Sequence, residues 1–305
     1  MNGLRRNRSR EFWPAMAFLL PNFVGFLAFT AGPVLASLAI SFTSWDLLTP
    51  PRWAGWGNFV ALLGFHETPA GWAANDPEFW QYLGNTFFML LALPLNMAAS
   101  LGLALVLNQK LRFRYGYRLV FFLPSILSGV AIFMLWKFMY QPDYGLINVM
   151  LERLGLTGPT WLSNPATAKP ALMLMGSWMT VGGTSMILYL AALQNVSREL
   201  LEAARIDGAG RWAQFTHVVW PSLAPVTFFI FTMGLIHGLQ GGFDAAYIMT
   251  DGGPSGATST LGFYVYKKAY VFFEMGYAAA IAWAMFLLVL VVTVVNWKRS
   301  ERSVL

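Results

Sequence analysis

Six long apolar runs decide what kind of fold is open to this sequence. They lie near Trp13–Phe42, Tyr82–Asn108, Tyr117–Tyr140, Pro170–Leu193, Leu223–Tyr247 and Met275–Trp297. A helix rising about 1.5 Å per residue needs about 20 mostly apolar residues to cross a hydrocarbon core about 30 Å thick. Each run meets that length. Charged residues make up 11% of the 305-residue chain and hydrophobic ones 57%, whereas soluble domains carry about 25% charged residues. A soluble globular fold is excluded, and an all-α integral membrane protein with six transmembrane helices is expected.

Lysine and arginine placement orients the spans. Arg5, Arg6, Arg8 and Arg10 precede the first run, and Lys110, Arg112, Arg114 and Arg118 separate the second from the third. Arg198, Arg205 and Arg211 follow the fourth, and Lys298, Arg299 and Arg302 follow the sixth. These alternate segments hold most of the basic residues, which puts both termini in the cytoplasm (N-in, C-in). The first run is too long for the apolar region of a cleaved signal peptide and reads as an uncleaved anchor. The chain then divides into a cytoplasmic tail over 1–12, a six-helix domain over 13–297 and a second tail over 298–305.

The net charge of +6 follows from these anchoring clusters, and no nucleic-acid recognition motif accompanies it. The absence of cysteine excludes disulfide scaffolds, thiolate metal sites and thiol catalysis. His66, His217 and His237 are too scattered to suggest a metal cluster. No phosphate-cradling GxxxxGK[ST] loop, nucleophile elbow or HExxH pattern is present, so an enzyme is not expected. Pro21, Pro33, Pro94, Pro124 and Pro225 fall within or at the start of spans, where each removes a backbone donor. The external loop Thr43–Gln81 is rich in tryptophan (Trp45, Trp53, Trp56, Trp72, Trp80), which suits interface anchors or a docking surface. The loop Gln141–Lys169 holds a short helical pattern at Leu146–Leu154 and a turn signal at Ser163-Asn164-Pro165.

The loop between spans four and five, residues 194–221, carries the densest local signals. Ser197 is a helix N-cap with Glu199 in the first turn. Glu202 is spaced to pair with Arg198 and Arg205. Asp207-Gly208 stops the helix, since glycine accepts the left-handed conformation of a C-terminal cap. A second helical segment covers Ala209–Val219, and Pro221 opens the next span. On physical grounds alone the loop is either an amphipathic segment lying on the membrane or a docking helix.

At these residues the sequence resembles the EAA motif of permease subunits in binding-protein-dependent ABC importers. The motif stands here as Glu202-Ala203-Ala204, three residues, Gly208, nine residues, Val218, one residue, then Trp220-Pro221. Val218 replaces the motif's isoleucine and Trp220 its leucine. Asp207-Gly208-Ala209, Phe215, Leu223 and Pro225 match the extended form of carbohydrate-type importers. So do Thr160-Trp161-Leu162-Ser163 and Tyr247-Ile248-Met249-Thr250-Asp251-Gly252-Gly253-Pro254 with Thr258, which resemble the first-type permease of a heterodimeric pair.

The resemblance implies an ATP-driven importer subunit in a bacterial-type inner membrane, passing a sugar or a polyol-phosphate. Its partners would be a second permease, a dimer of ABC ATPases binding ATP-Mg, and an extracytoplasmic solute-binding protein, with no cofactor on this chain. Glu202 would contact the ATPase, Ala203 and Ala204 would allow close approach, and Gly208 would allow the turn, with Asp207, Phe215 and Pro221 completing the coupling element. Along the path, Gly234, Gly238 and Gly242 recur every fourth residue as a packing face, and Trp178, Gln240 and Asp244 are candidate cargo contacts. Lys137 reads as a snorkelling residue. An ion- or proton-driven transporter and a non-transporting membrane anchor are the alternatives; the first predicts inverted repeats and paired intramembrane charges, and neither is evident.

Overall fold

The computed structural model describes residues 3–69 and 71–304, with side chains over 13–69 and 71–298. The basic side chains of Arg5, Arg6, Arg8, Arg10, Arg299 and Arg302 lie outside the described residues. The chain gathers into two units, Met1–Asp76 with Val265–Trp283 and Pro77–Tyr264 with Ala284–Leu305.

In the first unit, helices α1 (Gly3–Phe26) and α2 (Gly32–Ser41) run through one π-helical turn at Leu27–Ala31. Pro33 follows that turn after one residue, Gly32. The wider turn accommodates a residue with no N–H to give and a ring that crowds the preceding turn. The stretch Trp13–Ser41 has the length and hydropathy of a span, and its apolar 18-residue core holds no residue buried within this chain. It is therefore built to face lipid or another chain. Two small hairpins flank α3 (Gly57–Leu63): β1 (Thr43–Ser44) with β2 (Arg52–Trp53), and β3 (Phe65–Thr68) with β4 (Gly71–Ala74), both antiparallel.

These short strands are local additions to a mostly helical chain. They are too short to show alternation in the sequence, and the tryptophans drew attention instead. Phe42 stacks on Trp53 at 5.9 Å and meets Trp56 edge-on at 5.1 Å, so part of the aromatic set packs on itself. Asn58 donates to the carbonyls of Ser41 and Thr43, closing the end of α2. Asp46 accepts from the Thr49 N–H, the Thr49 hydroxyl and the Leu48 N–H. These bonds, the Thr49 amide first, hold its carboxyl below the ordinary range.

The second unit begins with α4 (Pro77–Leu90) and α5 (Ala92–Leu107), then α6 (Arg114–Ile126) and α7 (Gly129–Met139). It continues through α8 (Leu146–Arg153), α9 (Pro165–Thr180), α10 (Thr184–Gln194) and α11 (Arg198–Ile206). It closes with α12 (Arg211–Gln214), α13 (Trp220–Gln240), α14 (Phe243–Ala245), α15 (Leu261–Tyr266) and the C-terminal part of α16 (Met275–Val304). Asn164 caps α9 by accepting from the Ala166 N–H at 2.9 Å, as the Ser-Asn-Pro signal predicts. The α8 helix falls on the Leu146–Leu154 pattern.

Among the described residues, four helical runs can cross a membrane unbroken: Trp13–Ser41, Pro77–Leu107, Arg211–Gln240 and Met275–Lys298. The third and fourth expected spans are not single rods. They are bent pairs, α6 with α7 at 95° and α9 with α10 at 45°. At the first break Leu127 and Ser128 turn extended, just after Pro124 has removed one donor and the Ser125 hydroxyl has taken the Phe122 carbonyl at 2.8 Å. At the second, the chain passes through Val181, Gly182 and Gly183, and Gly183 leaves helical geometry at ψ −145°.

Two apolar clusters hold this unit. One joins α5, α10 and α13 through Leu101, Ala104, Met186, Tyr189 and Leu223; the other joins α7 and α9 through Phe133, Trp136, Leu172 and Met175. A polar knot ties α4 to the loop before α15. Buried Asn85 donates to the carbonyls of Gly256 (2.8 Å) and Ser259 (3.0 Å) and accepts from Lys169 Nζ at 2.9 Å. Asn85→Leu strands two carbonyls and an ammonium together. The expected loss is about 2–4 kcal/mol, read as a lowered unfolding midpoint of the purified full-length chain. An unchanged midpoint would show that the knot carries no stability.

Candidate functional site

The segment 194–221 is largely exposed, and no residue of its first helix is buried. Ser197 Oγ accepts from the Leu200 N–H at 3.3 Å, fixing the start of α11. At the other end the Ala209 N–H bonds the Ala204 carbonyl (2.8 Å) and the Gly208 N–H bonds the Arg205 carbonyl (3.1 Å). Gly208 sits at φ +81°. This is a Schellman closure, in which two orphan carbonyls are satisfied because one residue adopts the left-handed conformation. The Ala203 carbonyl accepts from the Asp207 N–H, so the last turn of α11 is closed by three backbone bonds at the Ala203, Ala204 and Arg205 carbonyls.

No residue of α11 is buried, and Ile206 (86% exposed) and Trp212 (76%) stand out as uncovered apolar side chains. Glu202 is exposed. Among the described residues it closes no ion pair with Arg198 or Arg205, which corrects the expected pairing. With both arginines equally exposed, water solvates each charge as well as a partner would. The second expected helix, Ala209–Val219, is also corrected. From Arg211 the chain runs without a break through a π-helical turn at Phe215–Val219 into α13. Pro221 lies in the first turn after that π turn, where its missing donor costs little. Phe215 stacks on Trp212 at 5.7 Å and reaches the α5–α10–α13 cluster.

At its far end α13 stops at Gln240, and the chain breaks at Gly241 and Gly242, the latter at φ +86°. Gly242 is therefore not on the helical face of Gly234 and Gly238, a correction to the expected stripe. Cβ atoms on Gly234 and Gly238 would overlap Leu93 and Leu90, so these two glycines let span two lie close against α13. Beside this contact is a cavity of about 700 Å³ walled by α4, α5, α7, α9, α10 and α13. Its lining is mostly apolar or glycine, with Met and Leu the commonest large side chains, and its polar points include Asn96, Thr180, Thr184, Ser185 and His237.

Trp178, Gln240 and Asp244 are all exposed and none is among the cavity's lining residues. Trp178 leans on Trp136 at 5.8 Å, and Asp244 sits on α14 beyond the break. Lys137 donates to the Ile248 carbonyl at 3.0 Å rather than reaching for an interface. Asn96 and His237 are lining residues that the expected cargo contacts do not include. The signal existed: His237 falls three residues after Gly234, on the same helical face. No group of three or more His, Asp or Glu side chains able to hold a metal ion occurs among the described residues.

Residues 96–297 match the family described as the binding-protein-dependent transport system inner membrane component. A probable ABC transporter permease of Bacillus subtilis, YesP, is 36% identical over 98% of this chain and 95% of its own. The lactose transport system permease LacF of Rhizobium radiobacter is 36% identical over 90% of each chain. Among solved structures, a chain of a bacterial alginate ABC transporter in complex with an alginate pentasaccharide-bound periplasmic protein superposes with a TM-score of 0.83. It is 24% identical, over 97% of this chain and 96% of that one.

Proposed function

Because the chain belongs to the binding-protein-dependent transport system inner membrane component family, and is thus an integral membrane permease, we propose that it forms half of an ATP-driven path for a carbohydrate. In this reading the chain has six spans, each bent pair counting as one, with both termini in the cytoplasm of a cell whose inner membrane it occupies. A second permease completes the path, a solute-binding protein delivers cargo from outside, and a pair of ATPase subunits binding ATP-Mg works below. The cargo class follows relatives such as the lactose permease.

One observation carries the proposal: a single unbroken helix, Arg211–Gln240, links the exposed α11 turn to the cavity. At about 1.5 Å per residue it is about 45 Å long, enough to reach from beyond one membrane face to the other side of the hydrocarbon core. Glu202 is free to meet a partner's polar group, Ala203 and Ala204 let that partner come close, and the Schellman closure at Gly208 keeps α11 from swivelling. A displacement imposed on α11 by ATPase closure therefore reaches the Gly241–Gly242 break, where it alters access to the cavity. The chain's own part is to hold cargo and transmit motion; the bond-breaking chemistry is that of the partner.

Inverted vesicles and proteoliposomes test this. Sugar uptake that requires ATP, the binding protein and the ATPase is the expected result. Uptake driven by an ion gradient alone would assign a secondary transporter, and binding of the ATPase without any uptake would assign an anchor.

A further inference from the structure

The cavity lining has a chemistry more specific than a general sugar path. Among its residues there is no Asp, Glu, Lys or Arg; His237 is the one titratable side chain. Lys169 and Lys137, which are not lining residues, are engaged elsewhere, Lys169 with Asn85 Oδ1 at 2.9 Å and Lys137 with the Ile248 carbonyl at 3.0 Å. Several lining hydroxyls are engaged as well: Ser100 donates to the Val181 carbonyl at 2.8 Å and Thr180 to the Gly176 carbonyl at 2.9 Å. Four polar side chains are different. Asn96, Thr184, Ser185 and His237 make no side-chain hydrogen bond among the described residues.

Each of the four both donates and accepts. That is the complement of a sugar hydroxyl, which also does both, and a poor match for a carboxylate or phosphate, which only accepts and needs a cation or a cluster of N–H donors. A charged group brought against the surrounding Met and Leu side chains would lose its water with nothing to replace it. Met89, Met97, Met173, Met175, Met179 and Met233 supply a flexible apolar surface that can follow the faces of different rings.

We propose that this cavity is a transit site for uncharged saccharides, read by Asn96, Thr184, Ser185 and His237, and that it discriminates against uronates and sugar phosphates. The proposal rests on the carbohydrate-permease reading above and narrows the cargo within it. It predicts loose selection among neutral sugars, because four ambivalent groups on a methionine surface fix few ring substituents.

The chain contains no cysteine, so Met233→Cys places in the lining the one thiol of this subunit, and its labelling rate can be followed in the assembled transporter, with cysteine-free partner subunits, without ATP or binding protein. Lactose and maltotriose are expected to slow labelling, whereas trigalacturonate and glycerol phosphate at equal concentration leave it unchanged. Asn96→Leu together with His237→Leu should raise the half-protecting lactose concentration about tenfold, the scale of two lost hydrogen bonds. His237→Gln, which keeps a donor and an acceptor, should retain protection, and monodisperse elution of each variant controls for misfolding. Equal or better protection by the anionic sugars overturns the proposal. So does protection that survives the double leucine variant. Absence of protection by every sugar, with ATP-driven uptake intact, rejects the cavity as the transit site and leaves the transport reading standing; loss of uptake itself would instead reject that reading.

Discussion

Gly208→Val is expected to abolish ATP-driven uptake while leaving the permease in the membrane. A Cβ at this position meets nothing within 4 Å, so the penalty comes from the backbone and not from collision. At φ +81° a β-branched residue is strained by about 1–3 kcal/mol. That is comparable to the hydrogen bonds the closure secures at Ala204 and Arg205. The turn then opens, α11 no longer points in one direction relative to α13, and a push on it is absorbed by the joint. The signature is uncoupling: ATPase activity persists in the assembled complex but no longer rises with loaded binding protein. Gly208→Asn is the informative control, because asparagine tolerates the left-handed region and should retain much of the uptake. If valine leaves uptake and stimulated ATP hydrolysis at wild-type levels with normal expression, the α11 turn is not the coupling joint.

The parts of the fold that were readable in the sequence are those set by local rules. Ser197 and Gly208 delimit a helix because capping depends on the residues at its ends, and α11 occupies 198–206 as those residues dictate. The outer limits of spans one and six follow from hydropathy alone. What could not be read depends on contacts with distant residues. Hydropathy averaged over Tyr117–Tyr140 and Pro170–Leu193 is high on both sides of each break, so two bent helices look like two straight ones. Gln240 and Asp244 both fall within the fifth apolar run, Leu223–Tyr247, and the Gly241–Gly242 break that separates them has no signature in hydropathy. An aromatic ring such as Trp178 suits a sugar face by its chemistry, but this ring packs on Trp136, a contact that no periodicity announces. Asn96 carries no motif, and only the cavity wall gives it meaning.

The two breaks meet, and that meeting makes the other large prediction. Gly182, buried at the bend of the fourth span, lies so close to α6 that a Cβ added to it would overlap the Phe121 carbonyl oxygen. The obstacle is backbone, which cannot rotate aside as the leucine tips facing Gly234 and Gly238 can. Gly183 is tight but less so, with Ser125 Cβ at 3.2 Å from its would-be side chain. Gly182→Val therefore has to push α6 away from the α9–α10 bend. The cost of overpacking a tight site is about 1–3 kcal/mol and rises where the neighbour cannot yield. We expect a value at or above the top of that range, read as loss of folded protein in detergent extracts. Gly182→Ala should be intermediate, and Gly176→Ala, on the same bent span with nothing within 4 Å of its added Cβ, should be nearly silent. A valine variant that extracts and unfolds like the wild type would mean that the third and fourth spans do not approach each other through their breaks. The bent path around the cavity would then have to be held by some other contact.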